Sequence, residues 1–375
     1  MIKCEEFYNL LVENSIDFFC GVPDSTLKYP IAYITDYTGG KKRNIIAANE
    51  GNAIALAAGY YLATGKIGMV YMQNSGMGNA INPLTSLIDK KVYNIPLIIL
   101  IGWRGEPGKK DEPQHIKQGE ITISLLDVLG IPFSIIPESI KEMKYIMEKA
   151  LRYIKEQNAV YAFIARKGIF ETYHLIGKSE LSKNLSREEA LKLVIDQLSS
   201  KDVFVSTTGK LSRELFEYRE ELKQNHNSDF LTVGSMGHCS QIALGIAMSK
   251  PKRNIYCFDG DSAVIMHMGS LAIIGSQKPE NFKHIIFNNG AHDSVGGQES
   301  VGLQIDIPLI AKACGYNSVF KADTKAEIIE GINNLKMAKG PSLLEIKIKK
   351  GARKDLGRPT KTPLENKIAF MNFIR

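Results

Sequence analysis

One rhythm, run through twice, constrains this chain more than anything else in it. Short apolar runs end in Gly, Asn, Asp or Ser and give way to helices rich in small residues. In the first half Asn44–Ala48 reads as a strand and Glu50–Ala63 as an Ala-rich helix. Ile67–Met72 is the next strand, a helix opens at Gly78 and runs to Leu87, and Leu97–Ile101 is a third strand. The second half repeats the pattern. Strands at Val203–Val205, Leu231–Val233, Ile255–Phe258, His284–Phe287 and Ser342–Ile348 each stop at a polar or Gly-rich turn, with a helix expected from about Ser212. Strands spaced by helices predict parallel sheets buried on both faces. The rhythm breaks between His174 and Ser186, where apolar residues are few, and Ser186 with Glu189 forms a capping-box signal for a new helix. The expected organisation is α/β, with two doubly wound parallel-sheet domains at residues 1–176 and 186–375 joined by a linker at 177–185.

Composition excludes several alternatives. A chain of 375 residues with 44% hydrophobic and 23% charged residues is ordinary globular material of two domains, not a disordered or fibrous chain. The apolar run Ile95–Ile101 is far short of the roughly 20 residues that span a bilayer. Met1–Glu6 carries acids where a signal peptide carries bases, so a soluble, cytoplasmic protein without membrane contact is expected. Five cysteines, none at C-x-x-C spacing, predict free buried thiols. The net charge of +7 is concentrated: Lys347–Lys361 holds seven bases and one acid. A nucleic-acid binder with a broad basic face is excluded, and the local cluster reads as a solvated tail or an anion site.

Ligands bind at the carboxyl ends of strands in open α/β sheets. The second half places Gly260-Asp261-Ser262-Ala263 at one such end and Asn288-Asn289-Gly290-Ala291 at the next, one helix later. On neighbouring parallel strands Asp261 and Asn289 would offer hard oxygen ligands to one divalent cation, with the Ala291 carbonyl completing the turn. Oxygen-only ligation suits Mg²⁺, which also takes phosphate oxygens. Helices opening at these turns aim free N–H groups at an anion. Cation and helix N-termini together predict a bound diphosphate.

These residues resemble the thiamin-diphosphate-dependent decarboxylases, whose G-D-G…N-N element stands here as Gly260-Asp261-Ser262 and Asn288-Asn289, with Ser262 in place of the third Gly. The resemblance implies a pyrimidine-binding first domain, a diphosphate-binding second domain and no middle domain, with thiamin diphosphate and Mg²⁺ as cofactors. It places Thr207-Thr208-Gly209 as the first diphosphate-contacting turn and Gly260, Ser262, Ala263 and Asn289 around the diphosphate. It assigns Gly234-Ser235-Met236 to the aminopyrimidine, with Met236 as the apolar wedge behind the bent cofactor. It makes Glu50 the acid against N1′ of the pyrimidine, where it would help deprotonate the cofactor's reactive carbon.

Further stretches are similar to the phosphonopyruvate decarboxylase branch: Cys20–Ser25, Met72–Asn79, Gly102–Gly108, Asp111–Gln118, Asn288–Gln298 and Asp355–Pro359. The implied reaction takes 3-phosphonopyruvate to phosphonoacetaldehyde and CO₂, in phosphonate biosynthesis. His115, in a Pro-bounded polar loop, and His292, beside the metal turn, are candidate proton donors because histidine changes charge near neutral pH. Asp24 is a further catalytic candidate. Ser25, Arg104, Arg353 and Arg358 are candidates for the anionic substrate, since a phosphonate calls for bidentate guanidinium. The family's arrangement implies a homodimer or dimer of dimers with active sites shared between chains. Sulfopyruvate decarboxylation is the close alternative, and a non-catalytic cofactor-binding homologue the alternative of another class. A dinucleotide oxidoreductase is excluded by the absence of G-x-G-x-x-G after a strand.

Overall fold

A computed structural model describes residues 1–38, 43–176 and 184–375. The chain divides into two compact units, Met1–Gly177 with Ser294–Gln298, and Lys178–Asp293 with Glu299–Arg375. The linker expected at 177–185 falls largely on residues 177–183, which lie outside the described residues. The expected capping box is present: the Ser186 side chain accepts from Glu189 N–H at the start of the helix Arg187–Asp196.

The first unit contains β1 (Phe19–Gly21), β2 (Asn44–Ile46), β3 (Met69–Gln73), β4 (Ile98–Gly102), β5 (Phe133–Ile135) and β6 (Tyr161–Ala165). They form one sheet in the order β2-β1-β3-β4-β6-β5, every pair parallel. The second contains β7 (Val203–Ser206), β8 (Asp229–Leu231), β9 (Ile255–Gly260), β10 (Phe282–Asn288), β11 (Ser318–Ala322) and β12 (Ser342–Lys347). Their order is β11-β12-β10-β9-β7-β8, again all parallel. Read from its other edge, this is the first sheet's order with six added to each strand number. Two halves without a short sequence repeat thus share one topology.

Each sheet is buried on both faces, because alternate residues feed opposite cores. In β3, Met69 and Tyr71 join Phe7, Leu11 and Phe163 on one face. Val70 and Met72 join Ala53, Ile54 and Ala57 of the helix Glu50–Thr64 on the other. In the second unit Phe204, Tyr256 and Phe258 pack on one face, and Val205, Ile255 and Cys257 on the other. All five cysteines are free and four are buried. No helix among the described residues is long and apolar enough to cross a membrane.

The expected strands appear with small shifts, whereas β1, β5, β6 and β11 were not among them. The strand placed at Leu231–Val233 lies at Asp229–Leu231. Thr232 already turns back to Ser206, donating to its carbonyl from backbone N–H at 3.1 Å, and Val233 is exposed. The helix expected from Ser212 starts at Lys210, directly after Gly209 at φ 107°.

Candidate active site

The strand order reverses between β1 and β3 in the first sheet and between β7 and β9 in the second. A crevice opens at the carboxyl edge of such a switch point. The candidate residues stand on these two edges.

In the first unit Asp24 follows β1 and is wholly buried. One carboxylate oxygen accepts from Thr26 N–H at 2.8 Å and Leu27 N–H at 3.1 Å. The other accepts from the Gln73 amide at the end of β3, at 2.5 Å, so the bond crosses the switch point. Burial raises the Asp24 pKa, while Gln73, the turn N–H groups and Arg104 act against it.

After β4, Arg104 donates to Asp111 through Nε at 2.8 Å and through a second nitrogen, and to Ser25 Oγ at 2.7 Å. Asn74 clamps the same turn, donating to the Arg104 carbonyl at 2.8 Å and accepting from Arg104 N–H at 3.1 Å. Burial alone would raise Asp111, but the Arg104 guanidinium and Gly105 N–H hold it at about 2. His115 is buried, its Nδ1 without a partner. Burial, reinforced by the Arg104 cation, lowers its pKa to about 4.

Both influences favour the neutral imidazole at His115. A stability test follows. An unfolded histidine titrates near 6.5. As pH falls from about 6.5 to about 4, the unfolded chain binds a proton that folded His115 refuses. His115's contribution is therefore complete above 6.5 and lost across that window. In His115→Gln the drop in denaturation midpoint between pH 7 and pH 4.5 should be smaller than in the parent. An equal drop would mean that His115 is not held neutral.

Glu50 opens the helix Glu50–Thr64, whose N-cap Asn49 accepts from Asn52 N–H at 2.9 Å. A carboxylate serving only the helix dipole would sit in water. Glu50 is instead buried to 5% exposure, and Asn79 Nδ2 donates to its Oε2 at 2.8 Å. Burial raises its pKa against that hydrogen bond. Gly76 makes room for it: a Cβ there would lie 2.2 Å from Glu50 Oε1. Asn79 and Gly76 belong to the Met72–Asn79 stretch, where the sequence marked no partner for Glu50.

In the second unit the turn after β7 carries Thr207, which is buried, Thr208 and Gly209. Thr208 Oγ1 accepts from Gly234 N–H at 3.0 Å, joining this turn to the one after β8. That second turn is left-handed at Gly234 (φ 75°), Ser235 (φ 48°) and Gly237 (φ 84°). Ser235 has a Cβ, so its conformation is strained, as backbones at binding sites often are. Met236 is half-buried on this turn.

Gly260 ends β9, and Asp261 begins the helix Asp261–Met266. Ser262 sits inside that helix, where a Cβ is accommodated, so the missing third glycine leaves the turn intact. Ala263 beside it is buried. Asp261 is 2% exposed. Burial lifts its pKa to about 6, although the Ser300 hydroxyl and Asn289 N–H donate to it. Asn289 Oδ1 accepts from Ala291 N–H at 3.0 Å, shaping the turn after β10. The buried carboxylate, amide oxygen and peptide carbonyls form an oxygen-only donor set with no basic side chain bonded to Asp261, which fits a hard cation. His292 follows; it is half-buried, and desolvation lowers its pKa to about 4.

Arg353, on the C-terminal segment, is engaged by acids. It pairs with Glu188 at 3.1 Å, Asp355 at 3.2 Å and Glu217. The density of bases in its stretch is thus partly answered by acids of the neighbouring helices. Arg358 is exposed on the same segment.

Sequence reasoning assigned no role to Gln73, Asn74, Asp111, Ser300 or Gln298. Gln298 is fully buried, and neither of its amide atoms has a partner among the described residues. Its stretch, Gly296-Gly297-Gln298, was visible as a motif, but nothing local announces a buried amide.

Comparison with known proteins agrees with this geometry. Residues 5–126 match the thiamine pyrophosphate enzyme N-terminal TPP binding domain, and residues 207–346 match the C-terminal TPP binding domain. A phosphonopyruvate decarboxylase of Streptomyces viridochromogenes is 35% identical over 88% of this chain and 85% of its own. One of Streptomyces hygroscopicus is 32% identical over 100% of this chain and 94% of its own. A sulfopyruvate decarboxylase of Methanosarcina acetivorans is 26% identical over 92% and 91%. Both binding domains and near-full-length relatives lead to one assignment: the chain belongs to the thiamin-diphosphate-dependent decarboxylase family.

Proposed function

We propose that this protein decarboxylates 3-phosphonopyruvate to phosphonoacetaldehyde and CO₂. The observation that carries the reading is the near-full-length relation to two phosphonopyruvate decarboxylases, 35% and 32% identical over 88% and 100% of the chain, where the sulfopyruvate decarboxylase matched over 92% is 26% identical and sulfopyruvate decarboxylase subunits reach 41% only over 33% of the chain. Thiamin diphosphate, when bound, supplies a nucleophilic carbon and a sink for the electron pair left by departing CO₂.

The chain's own residues do the rest. Asp261, Asn289 and the Ala291 carbonyl would hold Mg²⁺. The turns at Thr207, Thr208 and Gly209 and at Gly260, Ser262 and Ala263 offer N–H and hydroxyl groups to the diphosphate. Gly234, Ser235 and Met236 receive the aminopyrimidine. Glu50, raised by burial and oriented by Asn79, holds a proton where that ring needs one.

Asp24, raised by burial, is the carboxyl best prepared to carry a proton to the product. His115 and His292 act as neutral hydrogen-bonding groups. Arg104, preset by Asp111 and Ser25, is the proposed anchor for the substrate's anionic end, with Arg358 as a second basic group. Arg104→Ala should raise KM about tenfold or more with cofactor affinity unchanged, since charge-assisted hydrogen bonds are each worth roughly 1.5–3 kcal/mol. A KM unchanged in Arg104→Ala but raised in Arg358→Ala would move the anchor to the C-terminal segment.

The protein is proposed to assemble as a homodimer or dimer of dimers whose sites are shared between chains, which sedimentation with and without cofactor tests. The deciding experiment is CO₂ release with Mg²⁺ and thiamin diphosphate from phosphonopyruvate, sulfopyruvate and pyruvate. Preference for the phosphonate supports the reading. Preference for sulfopyruvate replaces it with the sulfonate enzyme, and no release from any substrate removes the catalytic role.

A further inference from the structure

We propose that Ser300 is a positioning residue for the cation ligand Asp261, anchored from β12 by Glu345 through Asn288; this rests on the reading of Asp261 as a magnesium ligand. The chain leaves the metal turn at Asn289 and comes back to it. Ala291 pairs with Glu299 in an antiparallel bridge, and Ser300 N–H donates to the Gly290 carbonyl at 2.9 Å. This return brings Ser300, 39 residues beyond Asp261, to that carboxylate, and its hydroxyl donates to Oδ2.

The donor is itself held. Ser300 Oγ accepts from Gly302 N–H at 3.1 Å. The Gly302 carbonyl accepts from Asn288 Nδ2 at 2.8 Å, and the same nitrogen donates to Glu345 Oε1 at 2.7 Å. Asn288 Oδ1 accepts from Gly290 N–H at 3.0 Å, fixing the amide's orientation. Ser300, Asn288 and Glu345 are all buried. No side chain fits at 302: a Cβ would lie 2.6 Å from Asp261 Oδ2 and 2.9 Å from Asn288 Oδ1.

The terminal torsion of an aspartate is broad and roughly twofold. A carboxylate alone in a pocket therefore samples orientations that turn its free lone pairs away from a cation. With Ser262 Oγ donating to the same oxygen at 3.4 Å and Asn289 N–H donating to the carboxylate, the Ser300 hydroxyl pins Oδ2. It also donates without bringing positive charge, so it does not compete with the cation for Asp261. Partners of this kind typically set metal affinity by 10–100-fold.

The test is calorimetric titration of Mg²⁺ into the full-length protein with saturating thiamin diphosphate, alongside melting curves with and without metal. Ser300→Ala should weaken Mg²⁺ binding by about 10–100-fold. The metal-free melting temperature should change little, with a smaller upward shift on adding metal. Ser300→Thr keeps the hydroxyl and should restore affinity to near that of the parent. Glu345→Gln should weaken binding less, because Ser300 remains. If Ser300→Ala does not fold, Ser300→Cys, similar in size with a weak donor, carries the same test. Parental affinity in the Ser300 variant, with affinity lost in Asp261→Asn, overturns the role of Ser300 alone. Parental affinity in both overturns the metal site itself and the proposal with it.

Discussion

Glu50→Gln should lower turnover by roughly 10²–10⁴, the usual scale for a group that manages a proton in the reaction, while cofactor affinity and melting temperature should stay near those of the parent. The substitution keeps size and the capacity to accept from Asn79 Nδ2, which now donates to Glu50 Oε2 at 2.8 Å. It removes only the ability to exchange a proton. Burial already pushes the Glu50 carboxyl toward its protonated form, so replacing it with a neutral amide relieves an unfavourable charge. A stability loss large enough to explain the rate is not expected. Single-turnover measurement of CO₂ release separates the outcomes: normal turnover ends the assignment of Glu50, and a loss traced to unfolding makes the residue structural. Gly76→Ala provides a companion measurement, because its methyl would meet the same carboxylate and should lower turnover with Glu50 still in place.

Asp261→Ala should weaken Mg²⁺-dependent binding of thiamin diphosphate by more than about 100-fold, beyond the range for residues that only support a ligand. Removing metal from the parent with a chelator should reproduce the loss, and adding Mg²⁺ back should reverse it only in the parent. The sign of the stability change runs the other way. Asp261 is buried, and in the metal-free protein that burial lifts its pKa to about 6. Below the ordinary carboxylate pKa both folded and unfolded states hold the proton. As pH rises from that value through about 6, the unfolded chain releases its proton first, so the metal-free protein loses stability across this interval. Metal-free Asp261→Ala should therefore lose less stability over this interval than the metal-free parent. Equal cofactor binding in parent and variant would remove Asp261 from the metal site.

These effects show which parts of the site are local in character. Gly260-Asp261 and Asn288-Asn289 are strand-end turns, and strand ends are written in short apolar runs stopped by polar residues. Their arrival on adjacent strands β9 and β10 follows from one intervening helical connection and the preference for short right-handed crossovers. Glu50 is marked the same way, by an apolar strand before it and an Ala-rich helix after it. The proposed histidine roles were less legible. Sequence shows that His115 lies in a polar loop, but its neutral state depends on burial and on Arg104. The pairing of Arg353 was hidden for a related reason. Charge density along the chain is visible, whereas Glu188 and Glu217 reach it from more than 130 positions away.

The sequence by itself determined the α/β class, the two halves and the strand-end placement of Glu50, Asp261 and Asn289, because apolar periodicity and turn residues act over a few neighbours. Only the tertiary structure decided the shared strand order of the two sheets, the pocket that Gly76 and Asn79 shape around Glu50, and the return of Ser300 to Asp261. Those depend on close packing and hydrogen bonds between segments distant in sequence, which no local pattern encodes.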